Sequence, residues 1–317
     1  TTRCEGDLDL SYNFYRNNDA LYGNTLSSHD FEGNLDMTHS IFDVYNCPDE
    51  EVTTVWVYVE EEVEVDFENG VGDLCTITED VWVSPDGDDN NSGTSQSEAF
   101  LTVGKALEMI APQDDDPVTI FLTEGTFSPS TTGEAFPIIM ISNMSLIGES
   151  EELSIIDAEN SATVISLYQC QNISIENLTV TGGNASPSNT AGLSIYYGGG
   201  IYMNVANPSI FNVTVTGNYA LENGGGIYTY FAIINLSNLT ITDNISLGPG
   251  GGIYVYSLNS TISNTIIHNN SASQGGGMFM IYSHYVTFNN LFDEQYQRPH
   301  GYSQDGRLVN AGLKLNY

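Results

Sequence analysis

A glycine triplet recurs along this chain at a nearly constant interval. Its third member falls at Gly200, Gly226, Gly252 and Gly277, in steps of 26, 26 and 25 residues. Each triplet is followed by an apolar residue and then an aromatic one: Ile201-Tyr202, Ile227-Tyr228, Ile253-Tyr254 and Met278-Phe279. Self-similarity at such a period marks a solenoid, in which each repeat is one coil that cannot bury its apolar face until neighbours stack on it. A second register supports the first, because Asn212, Asn238, Asn264 and Asn290 are also 26 apart, as are Asn218, Asn244 and Asn270.

Between these asparagines lie short alternating segments, NVTVTGN, NLTITDN and NTIIHNN. The alternation turns Val213 and Val215, Leu239 and Ile241, and Thr265 and Ile267 inward, and their neighbours outward. Stacked about 4.8 Å apart, such strands bond the coils above and below and merge their inward residues into one core. The glycines fit corners where a Cβ would obstruct the main chain. The asparagines fit corners or inward columns, where each amide can bond its own turn and the next coil. Both sets are therefore expected to be structural ladders. NLTVTGGN, from Asn177 to Asn184, is the preceding coil, lengthened by the loop SPSNTAGLSIYY. PVTIFLTEGTF, FPIIMISNMSLIGES and LSIIDAENSATVISLY are less regular coils. Ahead of them TVGKALEMI predicts an amphipathic helix with Val103, Ala106, Leu107 and Ile110 on one face, suited to capping the open end of the core.

The expected architecture is all-β: a right-handed parallel β-helix with an N-terminal β-rich extension and a short capping helix. Residues 1–80 form an acidic β-prone region, 81–116 a loop and the helix, 117–290 the coils and 291–317 a tail. In the first region VTTVWVYVEEEVEVDF predicts a long strand or hairpin, its Val63, Val65 and Phe67 alternating with a face of carboxylates. NFYRNNDA matches TIIHNNSA in its Asn-Asn-X-Ala corner and looks like a displaced coil. That motif, and a tail without an obvious second cap, predict an N-terminal module that covers the far end of a β-helix, either its own or a neighbour's. The second case is head-to-tail self-association into a filament.

The charge is −35, from 41 Asp and Glu against six Lys and Arg, which excludes nucleic acid and anionic membranes as partners. It is unevenly placed. Residues 1–159 hold 35 of the acidic groups, whereas 160–290 hold only Glu176, Glu222 and Asp243, with no Lys or Arg. No apolar run is long enough to span a membrane. The chain opens at Thr1 without Met, so a processed product is expected. Of four cysteines, Cys4, Cys47 and Cys75 leave a disulfide open in an extracellular protein, and Cys170 reads as a buried small hydrophobe. Eleven Asn-X-Ser/Thr sequons occur, among them Asn90, Asn259 and Asn269, which would be glycosylation acceptors in a suitable host.

These residues together resemble the right-handed parallel β-helix repeat proteins of bacterial and archaeal surfaces. VWVSPDGDDNNSGTSQSEAFLTVGKALEMI, followed by TIFLTEGTF and SLIGE, looks like the opening module common to secreted members. The GGGIY coils are similar to the GGA[IL] and FxxN repeats of polymorphic outer-membrane and adhesin-like passengers. The resemblance covers roughly residues 81–290 and implies a secreted or cell-surface location. It specifies a fold more than a function, since members include lyases, glycoside hydrolases, epimerases, adhesins and structural proteins.

Catalytic chemistry finds little support. A pectate-lyase-like site needs a basic residue to abstract a proton, and the coils contain neither Arg nor Lys. A polygalacturonase-like site needs clustered Asp, and Asp243 stands alone, while His268 and His284 lie in different registers. No catalytic residue is assigned. Asp86, Asp88, Asp89 and Asn90 in SPDGDDNNSG form a candidate Ca²⁺ site rich in oxygen ligands, without the bidentate Glu of an EF-hand; turn formation alone also accounts for them. The leading expectation is a non-enzymatic structural or adhesive β-helix. The alternative is a protein that binds or cleaves surface glycans, with Tyr196, Tyr197, Tyr202, Tyr228 and Tyr254 stacking on sugar rings or, more simply, on one another.

Overall fold

The structure is a computed structural model. It describes residues 77–110, 112, 115–186, 196–257, 260–282 and 286–289, and the backbone of eight short strands within 1–76. The chain divides into two compact units, Thr1–Ile77 and Thr78–Tyr317.

In the second unit every strand pairing is parallel, and successive coils stack in register. The long sheet runs from Val81–Val83 through Val118–Leu122, Met144–Gly148, Ile173–Thr181, Ser209–Thr216, Asn235–Ser237 and Ser260–Ser263 to Val286–Asn289. A second sheet stacks Ile138–Met140, Ile165–Tyr168, Ile201–Asn204, Ile227–Ala232, Ile253–Ser257 and Met278–Met280. A third, short one stacks Asn184–Ala185, Tyr219–Ala220 and Ile245–Ser246. The coil is a parallel β-solenoid, as the repeat predicts.

Register explains the core. Ile120, Leu146, Ile175, Ile210, Leu236 and Ile262 are partners on six consecutive coils, and all are fully buried. Val180, Val215, Ile241 and Ile267 make a second such column, and Ile138, Ile165, Ile201, Ile227 and Ile253 a third. Each buried aliphatic side chain contributes about 1.5–3 kcal/mol, so the columns supply the dominant stabilising term. The pairing of Ser174 with Ser209 accommodates a 35-residue coil, and the extra length is the segment before the first full triplet.

The helix spans Val103–Met109 and buries Val103, Ala106 and Leu107, with Ile110 buried just beyond its end. Thr102 caps it, its hydroxyl accepting from the Lys105 amide at 3.0 Å. Two carboxylates complete that end. Asp89 accepts from the Leu101 and Thr102 amides and the Thr102 hydroxyl at 2.8, 3.0 and 3.0 Å. Glu134, only 3% exposed, accepts from the Val103 and Gly104 amides at 2.6 and 3.0 Å. Its desolvation raises its pKa, against the lowering effect of those amides.

The first unit is also built from parallel pairs. Cys4–Glu5 and Leu8–Asp9 both pair with Phe31–Asp36, Phe14–Tyr15 pairs with Ile41–Phe42, and Leu26–Ser27 pairs with Val57–Tyr58. The steps between partners are 27 to 31 residues, close to one coil. Here the expected long strand or hairpin is corrected. Val57–Tyr58 and Val63–Asp66 are separate strands, and the second pairs in parallel with Phe31–Asp36. Parallel pairing sets Glu64 opposite Asn34 and Val65 opposite Leu35, so among the described pairs of this strand only Asp66 faces another carboxyl residue, Asp36. A hairpin of the same run would have crowded its acidic residues against one another.

Candidate functional site

The second sheet turns its inward residues, Ile201, Met203, Ile227, Thr229, Ile253 and Val255, fully into the core. The alternate residues therefore face outward, and all but Asn204 are aromatic. Tyr202, Tyr228, Tyr254 and Phe279 are register partners on four coils. Their rings stack nearly parallel, with centroids 5.6, 5.1 and 5.6 Å apart. Tyr197 stacks on Tyr228 at 4.8 Å and is hydrogen-bonded to Glu222, which with burial pushes its pKa up to about 12. Desolvation, reinforced by neighbouring phenols, raises the pKa of Tyr228 and Tyr254 also. In this column each ring face is covered by the next ring, so the expected tyrosine stack is largely a ladder packed on itself.

A second outward column lies two residues further along each strand and is more open. Tyr168, Asn204, Tyr230 and Tyr256 are partners on successive coils. Tyr230 and Tyr256 are tilted by 40°, with centroids 5.0 Å apart. Phe231 meets both edge-on, at 4.6 and 4.7 Å, and Tyr282 lies 5.7 Å from Tyr256. The sheet ends at a corner where Gln169, Val205, Phe231 and Tyr282 hold left-handed backbone, with φ of 51, 52, 48 and 48°. Three of these corner residues are large and exposed: Val205 by 49%, Phe231 by 42% and Tyr282 by 69%. The sequence signal for this column is the residue two places after each ladder aromatic, in GGGIYTY and GGGIYVY. It is hard to see because the first coil carries Asn204 there.

The ladder residues lie elsewhere on the coil. Asn218 and Asn244 are buried, and the column runs through Asn218 Nδ2 to Asn244 Oδ1 and Asn244 Nδ2 to Asn270 Oδ1, both 3.0 Å. The same amides donate to main-chain carbonyls of Val180, Val215 and Ile241 at 2.8–3.1 Å. Asn177, Asn212, Asn238 and Asn264 occupy a bend in the long sheet at φ of 56, 54, 56 and 48°, and Asn212 Nδ2 donates to Asn177 Oδ1 at 3.0 Å. Asn290 lies outside the described residues. A Cβ on Gly200, Gly226 or Gly252 would come within 2.5–2.7 Å of the carbonyl oxygen of Gly226, Gly252 or Gly277 on the next coil. Gly277 itself abuts the Ile267 side chain.

In the loop of Asp86, Asp88, Asp89 and Asn90, two carboxylates, those of Asp88 and Asp89, are directed to local work. Asp88 Oδ1 accepts from the amide and side chain of Asn90 at 2.9 and 2.7 Å, which lowers its pKa, and Asp89 braces the helix start. Among the described residues no three His, Cys, Asp or Glu side chains converge as they would on a metal ion. His268 Nδ1 lies 3.3 Å from the Thr242 hydroxyl, which also donates to Asp243 at 2.9 Å; His284 lies outside the described residues. Cys170 is buried, and desolvation pushes its thiol pKa up to about 11. Cys47, Cys75 and the tail 291–317, on which head-to-tail assembly would turn, lie outside the described residues. No described helix is long and apolar enough to cross a membrane. Sequence reasoning missed Glu134, 31 residues from the helix that it caps and without a local motif.

Several solved structures are similar to part of the chain at low identity. A pectin methylesterase in complex with a hexasaccharide is 15% identical, with a TM-score of 0.37, over 65% of this chain and 65% of that one. Pectin methylesterase PemA from Erwinia chrysanthemi is 13% identical, with a TM-score of 0.36, over 65% of this chain and 89% of its own. Pectate lyase Pel9A is 14% identical, with a TM-score of 0.45, over 75% of this chain and 58% of its own. No curated protein matches the sequence. Residues 85–289 match the family described as protein of unknown function, DUF1565, and the chain belongs to that family.

Proposed function

We propose that this chain is a non-catalytic, adhesive β-helix that holds a neutral surface polysaccharide along the aromatic corner of its second sheet. The observation that carries the reading is the corner itself. Val205, Phe231 and Tyr282 adopt left-handed backbone, which costs side-chain-bearing residues about 1–2 kcal/mol, and they do so while exposing large apolar groups. A coil optimised only for stability would place Asn or Gly there. Tyr230 and Tyr256 extend the same surface over neighbouring coils. Amphipathic rings at coil spacing suit the C–H faces of a sugar chain, and their hydroxyls suit its polar rim.

Charge narrows the partner. With no Lys or Arg between 160 and 290, nothing in these coils neutralises a uronate, so a neutral glycan is favoured over an acidic one. Affinity electrophoresis through gels containing glucan, mannan, xylan, galactan or polygalacturonate tests this. Retardation by at least one neutral polymer is expected, with none by polygalacturonate, and Tyr230→Ala combined with Tyr256→Ala should abolish it. Failure of every neutral polymer to retard the protein, or release of reducing ends or unsaturated uronate, overturns the reading.

A further inference from the structure

On the long sheet, the first coils carry a separate outward aromatic pair. Trp82 and Phe121 are register partners, and Ile147 follows Phe121 on the next coil. The two rings lie 5.2 Å apart and tilt by 31°, so they form a shallow platform rather than a closed cage. Beside it is an open groove of about 270 Å³, lined by Trp82, Phe121, Ile147, Thr123, Gln96 and Glu149. Thr123 is 8% exposed, and its hydroxyl has no hydrogen-bond partner. The Thr123 carbonyl, by contrast, is used, accepting from Ser154 Oγ at 3.0 Å. A buried hydroxyl left unpaired costs about 1–3 kcal/mol. Thr123 also lines the groove, so a rotation about its χ1 presents this hydroxyl, closed to solvent in the free protein, as a donor and acceptor to something that enters.

We propose that this groove binds one neutral pyranose unit, its apolar face on Trp82 and Phe121 and its hydroxyls bonded to Thr123, Gln96 and Glu149. The chemistry selects that class. The lining is apolar, with a few polar groups at its rim, the pattern of a small-ligand site. Glu149 accepts only, Gln96 donates and accepts, and Thr123 does both, which matches ring hydroxyls that also do both. A uronic acid would set its carboxylate near that of Glu149. An alkylammonium ion would use the aromatic faces and Glu149, but not the donors of Thr123 and Gln96. The site lies on a different sheet from the aromatic corner, so it does not depend on the polysaccharide reading above.

The chain has two tryptophans, Trp56 and Trp82, so Trp56→Phe leaves Trp82 as the sole indole reporter in the full-length protein. Titration of that variant with glucose, galactose, mannose and N-acetylglucosamine should give a saturable change in tryptophan emission with at least one of them. Thr123→Val, added to Trp56→Phe, should weaken that sugar about tenfold. It should also leave the ligand-free thermal midpoint unchanged or raised, because it removes the orphaned hydroxyl. Tyr230→Ala should not alter the response. The proposal is overturned if no sugar changes the emission, if butylammonium saturates the signal and sugars do not, or if Thr123→Val binds the sugar as well as its parent.

Discussion

Left-handed backbone recurs at four places around the coil, and two of them are filled by opposite kinds of residue. In the long sheet the bend belongs to Asn177, Asn212, Asn238 and Asn264. At the end of the second sheet it belongs to Gln169, Val205, Phe231 and Tyr282. Asparagine tolerates this conformation because its short amide bonds locally, and repetition lets one amide serve the next, as from Asn212 to Asn177. Valine, phenylalanine and tyrosine have neither advantage. The contrast separates a corner chosen for the fold from one that the fold alone does not explain. It teaches that in a solenoid, function is sought where the repeated residue is the wrong one for its backbone.

The largest expected effect tests the stabilising side. Asn244→Ala removes the acceptor of both the Asn218 amide and the Asn218 side chain, at 3.1 and 3.0 Å, and leaves them buried. Asn218 Nδ2 keeps the Val180 and Thr216 carbonyls, so one donor, the Asn218 amide, is orphaned at about 1–3 kcal/mol. With the loss of the Asn244 side chain's bonds to the Val215 carbonyl and Asn270 Oδ1, at about 0.5–1.5 kcal/mol each, the predicted loss is about 4 kcal/mol in denaturant unfolding. Because each coil contacts only its neighbours, hydrogen exchange should accelerate first in the coils flanking residue 244. Uniform acceleration through the unit would show that the ladder is not a local device. Asn212→Ala comes next. It trades asparagine for a residue strained at φ 54° and loses one amide bond, for about 2–3 kcal/mol by the same measurement.

These asparagines were legible from the sequence because the solenoid repeats them at the coil period, and so was the core, since Val213, Val215, Leu239 and Ile241 alternate plainly. The opening coils were less so. Glu134 reaches the helix start across 31 residues, and a contact made once leaves no period to read. The acidic run at 52–67 misled because alternation announces a strand without naming its partner, and antiparallel and parallel pairing look alike in one segment. The aromatic corner was half visible: the ladder tyrosines repeat, but Val205, Phe231 and Tyr282 share only a place in the coil, not a residue type.

Substitutions at that corner sharpen the contrast from the other side. Val205→Asn should stabilise the protein by about 1 kcal/mol, since it relieves left-handed strain at a half-exposed residue with little packing to lose. Phe231→Asn gains the same relief but loses two edge-on ring contacts worth about 0.5–1.5 kcal/mol each, so its thermal midpoint should barely move. Its retardation by a neutral glycan gel should fall. A Phe231→Asn protein that binds the gel as strongly as its parent would reduce the aromatic corner to a tolerated defect.

The smallest effect near neutrality becomes visible only in alkali, and it separates the amide bends from the tyrosine ladder by chemistry. Asparagine does not titrate, so the amide bends carry no pH dependence. The tyrosine ladder does, because burial among other phenols raises the pKa of Tyr228 and Tyr254 above 10.0, the value they have when unfolded. A phenol whose folded pKa is raised is held in its neutral form by folding. Its contribution to stability is fully present below pH 10 and is lost as pH rises through the folded value. Stability should therefore decline above pH 10, and phenolate absorbance should lag behind that of the unfolded chain. Tyr228→Phe keeps the ring stack and removes the ionisable group, so its unfolding free energy should fall less steeply above pH 10 than that of the parent. An equal slope in the two proteins would place the alkaline sensitivity outside the ladder and leave the second sheet's outer face held by packing alone.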